Sequence, residues 1–155
     1  MYVLDGLGGL DVDEPVARFV ASFPFESTET GECGLPVRLG KYWVQTVGYS
    51  GDLVALDMSD PLVPIPVDTL NMGVDANPHW VSLEPGGDRI LVTGYDSMEG
   101  MVYIVHLDPK TGEITLDEGF RTPGNDQPGV SFLREDWLHG STGVAHPHGA
   151  VFSRD

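Results

Sequence analysis

A hairpin pattern occurs twice in this chain of 155 residues and limits the folds that it can adopt. The first copy covers residues 42–58 with a turn at 48–52, and the second covers residues 89–107 with a turn at 96–100. In each copy, two short runs of β-branched and aromatic residues flank a glycine-containing turn, which is typical of antiparallel strands. The sequence therefore predicts an all-β fold.

The two hairpins belong to a longer repeat, because matching Gly40 to Gly87 gives an offset of 47 residues. A repeat of about 40–50 residues with four strands is the unit, called a blade, of a β-propeller. We therefore expect a partial β-propeller with about three four-stranded antiparallel blades. The strands that complete these repeats are predicted at 35–39, 79–83 and 113–116.

A third copy of the opening strand is predicted at the end of the chain, where residues 147–155 parallel residues 78–86 at an offset of 69. A closed propeller needs about 4–8 blades, so we expect another protein chain or further copies of this chain to complete the ring. The predicted segments of this single, incomplete propeller-type domain are a strand or loop of a preceding blade (1–34), two blades (35–76 and 77–116), an inserted loop (117–144) and the opening strand of a further blade (145–155).

The charge of the chain argues against two classes of partner. With 24 acidic residues against 8 lysines and arginines, the formal net charge is -16. Such a chain repels the phosphates of nucleic acid and an anionic membrane surface. No segment approaches the roughly 18 apolar residues of a membrane span, and no secretory signal pattern stands at the start. We therefore expect no nucleic-acid or membrane partner, and the compartment is left open.

Three histidines are the candidate metal ligands. His79 and His148 follow a proline at the same place in successive repeats, and His146 stands two residues before His148. The first strand of a blade is the innermost strand, so these side chains are expected to converge on the mouth of a central channel. Neutral imidazoles there can share a transition metal. The alternative is a structural role, in which the imidazoles bond the backbone of a neighbouring blade.

The other two histidines are weaker candidates. His106 lies within a predicted strand and is expected to make cross-strand contacts, whereas His139 lies in the inserted loop as either a ligand or a surface residue. The single cysteine, Cys33, excludes an internal disulfide. We find no carboxylate pair with a spacing suited to acid–base catalysis, no phosphate-binding glycine loop and no serine-nucleophile motif.

Residues 40–61 begin Gly-Lys-Tyr-Trp-Val-Gln-Thr-Val and end Asp-Met-Ser-Asp-Pro, and residues 81–93 read Val-Ser-Leu-Glu-Pro-Gly-Gly-Asp-Arg-Ile-Leu-Val-Thr. These two stretches resemble the C-terminal half of selenium-binding proteins, a propeller family that includes methanethiol oxidases. The resemblance covers residues 35–155. It implies a copper ion held by channel-mouth histidines, with His146, and more weakly His148 and His79, at matching positions. Residues 147–155 are similar instead to the strand that opens blades in lactonase-like propellers.

The sequence leaves three candidate functions. The first is copper-dependent oxidation of a small sulfur compound, which would enter as a small-molecule ligand at the channel mouth. The second is a non-catalytic interaction or scaffold subunit, whose propeller is completed by a partner chain. The third is a lactonase-like hydrolase, although no acid and arginine set of that type can be identified in the sequence.

Overall fold

The computed structural model describes residues 2–5, 16–22, 34–95 and 97–153 of the chain. Near the N-terminus, strands β1 (Tyr2–Asp5) and β2 (Val16–Phe19) pair as an antiparallel two-stranded sheet. Within the segment predicted at 1–34, the described residues are 2–5, 16–22 and Gly34, so Cys33 lies outside them. Asp96 and Asp155 also lie outside the described residues.

The first large sheet is a four-stranded antiparallel meander in the order β3-β4-β5-β6. Its predicted central hairpin is present almost residue for residue. Burial alternates at the start of β4, whereas four consecutive residues of β5, 53–56, are buried because both faces of that strand are covered. The turn between them is a 3-10 helix (Gly48–Ser50) followed by Gly51 in the left-handed region. The strands are β3 (Val37–Leu39), β4 (Tyr42–Val47), β5 (Asp52–Asp57) and β6 (Ile65–Asn71).

The second large sheet repeats this meander in the order β7-β8-β9-β10. The edge strand β10 covers only part of β9, so a short later strand, β11 (Val130–Ser131), also pairs with β9, at residues 101–102. The four strands of the meander are β7 (Pro78–Leu83), β8 (Arg89–Gly94), β9 (Met101–Leu107) and β10 (Ile114–Leu116).

The two large sheets pack face to face around one apolar core. Burial of the apolar side chains between the sheets is the main stabilising contribution in a fold of this kind. Strand β3 contacts β7 and β6 contacts β10, so strands with the same place in each meander lie near one another, and β4 also contacts β7. The first sheet contributes Tyr42, Val44, Leu53 and Ala55 to the core, and the second contributes Val81, Ile90, Val92, Val105, Leu107 and Ile114.

Hydrogen bonds between the sheets support this stacking at both edges. The amide of Leu35 donates to the carbonyl of His79 at 2.8 Å. At the other edge, the amide of Ile114 donates to a carboxylate oxygen of Asp68 at 2.7 Å. The neutral bond from Leu35 to His79 contributes about 1 kcal/mol and the bond to the charged carboxylate of Asp68 somewhat more, so both help to fix the relative placement of the sheets.

The all-β class predicted from the sequence is confirmed, and the two meanders lie within the ranges 35–76 and 77–116. Among the described residues the sheets close into no barrel or propeller ring. The helices of the described parts are two single 3-10 turns, Gly48–Ser50 and Val74–Ala76, and neither is long or apolar enough to cross a membrane.

The end of the chain differs from the prediction. Residues 142–153 contain no strand, so the opening strand predicted at 145–155 is not formed by residues 145–153. The physical reason is that a strand needs backbone partners, and no described segment lies in register beside this one. The insertion at 117–144 is mostly irregular, with a two-stranded ribbon formed by β12 (Asp136–Trp137) and β13 (Gly140–Ser141).

Asp57, at the end of β5, makes the first sheet sensitive to acid. Its carboxylate accepts hydrogen bonds from the Lys41 ammonium, and then from the hydroxyl and amide of Ser59, and these lower its pKa from 3.8 to about 2. A depressed pKa means that the stabilising contribution is complete above pH 4 and is lost as the pH falls towards 2.

We therefore expect Asp57→Asn to be less stable than the wild type at pH 6, with the difference narrowing at pH 2. Urea unfolding at the two pH values measures it. The control is Asp126→Asn, which removes an exposed carboxylate outside the contacts of Asp57 with Lys41 and Ser59 and should unfold like the wild type at pH 6. A gap for Asp57→Asn that is unchanged by pH would contradict the prediction.

Candidate functional site

Three rings meet at one end of the second sheet. The imidazoles of His79 and His148 are nearly parallel, with centroids 5.3 Å apart and an angle of 18° between the rings. The Tyr95 ring lies 5.2 Å from His79 and 5.2 Å from His148, so the three side chains form a compact triangle, here called the ring triad. His79 is partly buried, and Tyr95 is 47% exposed, so the triad is open to solvent.

Two neighbouring strands and the C-terminal segment bring the ring triad together. His79 lies near the start of β7, where Pro78 pairs with Gly94 and the register shifts before Trp80. Because β7 and β8 are antiparallel, the start of β7 lies beside the end of β8, and Tyr95 follows β8 directly. His148 arrives from the C-terminal segment, defined here as residues 145–153.

The C-terminal segment lies along the face of the second sheet that points away from the first sheet. Thr93 alternates with the core residue Val92 and therefore faces this segment, and its hydroxyl donates to the carbonyl of His148 at 2.9 Å. The indole N–H of Trp80 donates to the carbonyl of Ala150 at 3.1 Å. These bonds hold the segment in place without a strand ladder.

Gly149 allows the C-terminal segment to approach the Trp80 ring closely. A Cβ atom at this position would lie 2.9 Å from Cδ2 of Trp80, closer than real side chains come. We therefore expect Gly149→Ala to displace the segment and to speed amide hydrogen exchange in residues 145–153 by at least about tenfold, which corresponds to roughly 1.4 kcal/mol.

The matched control for Gly149→Ala is Val151→Ala, because Val151 lies in the same segment with its side chain 70% exposed. That variant should exchange like the wild type. Equal exchange rates in Gly149→Ala and the wild type would show that the close contact with Trp80 does not hold the segment.

The remaining histidines have other surroundings. The Nδ1 atom of His146 lies 3.2 Å from the carbonyl oxygen of Ser97, which is within hydrogen-bond distance. His146 thus contacts a backbone group, whereas the members of the ring triad contact one another through their rings. His139, at the turn of the β12–β13 ribbon, stacks at 6.2 Å on Trp137. Of the three predicted ligands, the structure thus brings His79 and His148 together, and it gives His146 a backbone partner.

The ring triad offers a narrower donor set than the three-histidine centre expected from the sequence. His79 and His148 supply two imidazoles, and the third member of the triad, Tyr95, is placed beside them by its ring. Within the described parts of the chain, no group of three or more His, Cys, Asp or Glu side chains is arranged to hold a metal ion. The structure therefore places two imidazole rings side by side at a solvent-accessible end of the second sheet.

A second candidate site, which the sequence did not indicate, surrounds His106. Its Nδ1 atom lies 3.7 Å from Asp88 and its Nε2 atom 3.4 Å from Asp117. Three adjacent strands cause this arrangement, because Asp88 precedes β8, His106 lies in β9, and Asp117 follows β10. A pocket of about 360 Å³ adjoins it, lined by Asp88, His106, Asp108, Pro109, Lys110, Glu113 and Thr115.

Electrostatics keep the carboxylate of Asp117 ionised beside His106. Burial raises the pKa of Asp117, but hydrogen bonds from the amides of Gly119 and Phe120, together with the contact to His106, outweigh that effect and leave the pKa below its usual value. The sequence analysis expected cross-strand contacts for His106 from its place within a strand, between Val105 and Leu107. In the sequence, this charged site is indicated by Asp88 before β8 and Asp117 after β10.

The inserted loop carries a structured aromatic ribbon. Its base is closed by hydrogen bonds from Phe132 to Gly100 and from Ala145 to Phe132, at 2.9 and 3.0 Å. Inside it, the Arg134 guanidinium lies 4.0 Å from the Trp137 ring centroid. At its tip, Leu138 is fully exposed. The ribbon therefore presents an apolar side chain on an ordered support.

No protein-family model matches this chain, no curated protein matches it, and no solved structure matches it. The resemblance to selenium-binding proteins therefore stays a prediction from the sequence motifs.

Proposed function

We propose that the chain supplies two consecutive blades of a β-propeller. The support is the repeated four-stranded meander and the way in which the meanders stack, with β3 against β7 and β6 against β10. Consecutive blades around a ring stack in this way, since each sheet buries its faces against the equivalent strands of its neighbours. In this proposal, further blades come from another chain or from further copies.

We further propose that the ring triad binds a transition-metal ion, copper first, and serves oxidation of a small sulfur compound. The observation that carries the proposal is the pairing of His79 with His148 at a ring separation of 5.3 Å, since these residues occupy equivalent repeat positions. Imidazole nitrogen suits copper, and divalent copper binds such ligands more tightly than the other first-row metals. The choice of sulfur compound rests on the family resemblance alone.

When bound, copper would supply one-electron chemistry and a site for oxygen. The residues of this chain would bind the ion and admit the substrate. His79 and His148 hold the ion, and the open side of the triad leaves room for a small thiol. Tyr95 lies within reach of both imidazoles and borders the entrance, because nearly half of its surface is exposed.

The test is a titration of the purified chain with Cu²⁺, followed by calorimetry and electron paramagnetic resonance. We expect one bound ion with nitrogen hyperfine structure, and we expect His79→Ala and His148→Ala each to weaken binding by at least about tenfold. His139→Ala is the control, since His139 stacks on Trp137 in the ribbon. Equal binding by all four proteins would contradict the metal site.

The catalytic part is tested separately by oxygen uptake with methanethiol after copper loading. Uptake by the wild type that is lost in His148→Ala supports the oxidase. Copper binding without any uptake would leave a metal-binding protein and would contradict the oxidase.

A second candidate is a non-catalytic interaction subunit, favoured by the fully exposed Leu138 at the tip of the ribbon. Covering this side chain with a partner would remove its apolar surface from water, which is favourable. Native mass spectrometry tests this candidate. Assemblies larger than the 16.8 kDa monomer that disappear in Leu138→Ser support it, and a folded monomer at all concentrations counts against it.

A further inference from the structure

Two buried threonines make the same contact at equivalent places in the repeat. Thr46, near the end of β4, donates its hydroxyl to the carbonyl of His79 at 3.3 Å. Thr93, near the end of β8, donates its hydroxyl to the carbonyl of His148 at 2.9 Å. The two threonines are 47 residues apart, which is the repeat offset, and both are completely buried. Each therefore links one sheet to the histidine that follows it.

The contact fixes the backbone of each histidine where its ring enters the triad. A threonine in a strand has a restricted χ1 angle, so its hydroxyl points in a defined direction. A buried hydroxyl also needs a partner, and the histidine carbonyl is that partner in both cases. The imidazole of each histidine is joined to its Cα atom through Cβ alone, and the carbonyl carbon is joined to the same Cα. A shift of the carbonyl therefore moves the imidazole with it.

We propose that Thr46 and Thr93 are positioning residues for the ligand site, each orienting one of the two histidines. The inference rests on the proposed metal-binding function and adds the residues that set the spacing of its ligands. Neither threonine touches the bound ion in this proposal. Their effect passes through His79 and His148.

The two threonines are expected to differ in importance. The carbonyl of His79 also accepts the amide of Leu35 at 2.8 Å, so it keeps one donor when Thr46 is replaced. The carbonyl of His148 is held by the hydroxyl of Thr93. His148 itself lies in the C-terminal segment, which has no strand ladder to hold it. Loss of the Thr93 hydroxyl should therefore disturb the site more.

The experiment compares copper affinity in Thr93→Val, Thr93→Ser and Thr46→Val by competition with a chelator of known affinity. Replacement of groups that orient metal ligands typically costs about 10–100-fold in affinity. We expect a loss of at least about tenfold in Thr93→Val, a smaller loss in Thr46→Val, and recovery to within about threefold of wild type in Thr93→Ser. Thr115→Val, at an exposed position of β10, is the control.

A structural role alone would not produce this pattern, because urea unfolding reports stability independently of copper affinity. A copper affinity that falls when the Thr93 hydroxyl is removed and is restored in Thr93→Ser supports the positioning role. Equal affinity in Thr93→Val and the wild type overturns it, provided that His148→Ala has lost binding. If His148→Ala binds copper like the wild type, the proposed metal function itself fails. If Thr93→Val does not fold, Thr93→Ala removes the same hydroxyl with a smaller side chain, and the same comparison with Thr93→Ser decides.

Discussion

Gly51→Ala is expected to destabilise the chain by about 4 kcal/mol or more, a loss that few single substitutions reach. Gly51 closes the turn between β4 and β5 with a φ of 75°, where an L-residue is strained. A Cβ atom there would also overlap the carbonyl of Gly73 and lie 2.9 Å from the amide nitrogen of Val74. These are backbone atoms, so no side-chain rotation relieves the overlap. Urea unfolding measures the loss.

Gly86→Ala separates the two causes. Gly86 has almost the same backbone angle, a φ of 78°, but a Cβ atom there meets nothing within 4 Å. Its replacement should cost only the strain of the left-handed conformation, about 1–2 kcal/mol. If the two variants lose equal stability, the approach of the turn to Gly73 is not the cause.

Leu53→Ala is the second substitution with a large expected effect. Leu53 is completely buried in β5, and its side chain lies between the two large sheets. Removing its outer carbons leaves a cavity that strands on both sides cannot fill, and such changes cost about 2–5 kcal/mol. That is a large part of the roughly 5–15 kcal/mol that stabilises a typical domain. Thermal and urea unfolding should show one transition at lower temperature and lower urea concentration.

Val63→Ala is the control for Leu53→Ala, because Val63 lies beyond β5 with 58% of its surface exposed. Its loss should change stability by no more than about 0.5 kcal/mol. An equally small effect of Leu53→Ala would mean that the two sheets do not share the core described above. Separate unfolding transitions of the two sheets would lead to the same conclusion.

The hairpins were the part of the fold that sequence reasoning located best. Strands β4 and β8 were placed to within a residue, because apolar alternation and glycine turns act locally. Strand β6 was not identified, because it contains Pro66 and ends in Asn71, residues that normally interrupt strands. It forms as an edge strand, where β5 supplies the partner on one side.

For the site, repeat alignment indicated that His79 and His148 would approach one another, and their rings do lie together. It gave no indication of Tyr95, which no motif marks and which joins the triad through the pairing of Pro78 with Gly94. The contact of His146 with Ser97 was also beyond the sequence, because it joins residues 49 apart in two irregular segments. Side-chain partners of this kind depend on tertiary packing.

The threonine contacts have a consequence for any attempt to recombine this chain with related sheets. Each bond joins the second strand of one sheet to the first strand or segment after that sheet, as Thr46 does with His79. A cut between complete sheets therefore separates the two partners, although it leaves every strand ladder whole. A graft that preserves the bond must run from β4 through β7. The natural unit of exchange, β4 through β7, is thus shifted by one strand relative to the sheet β3 through β6. Chimeras that exchange this shifted unit should keep the orientation of the histidine, whereas chimeras that exchange whole sheets should lose it.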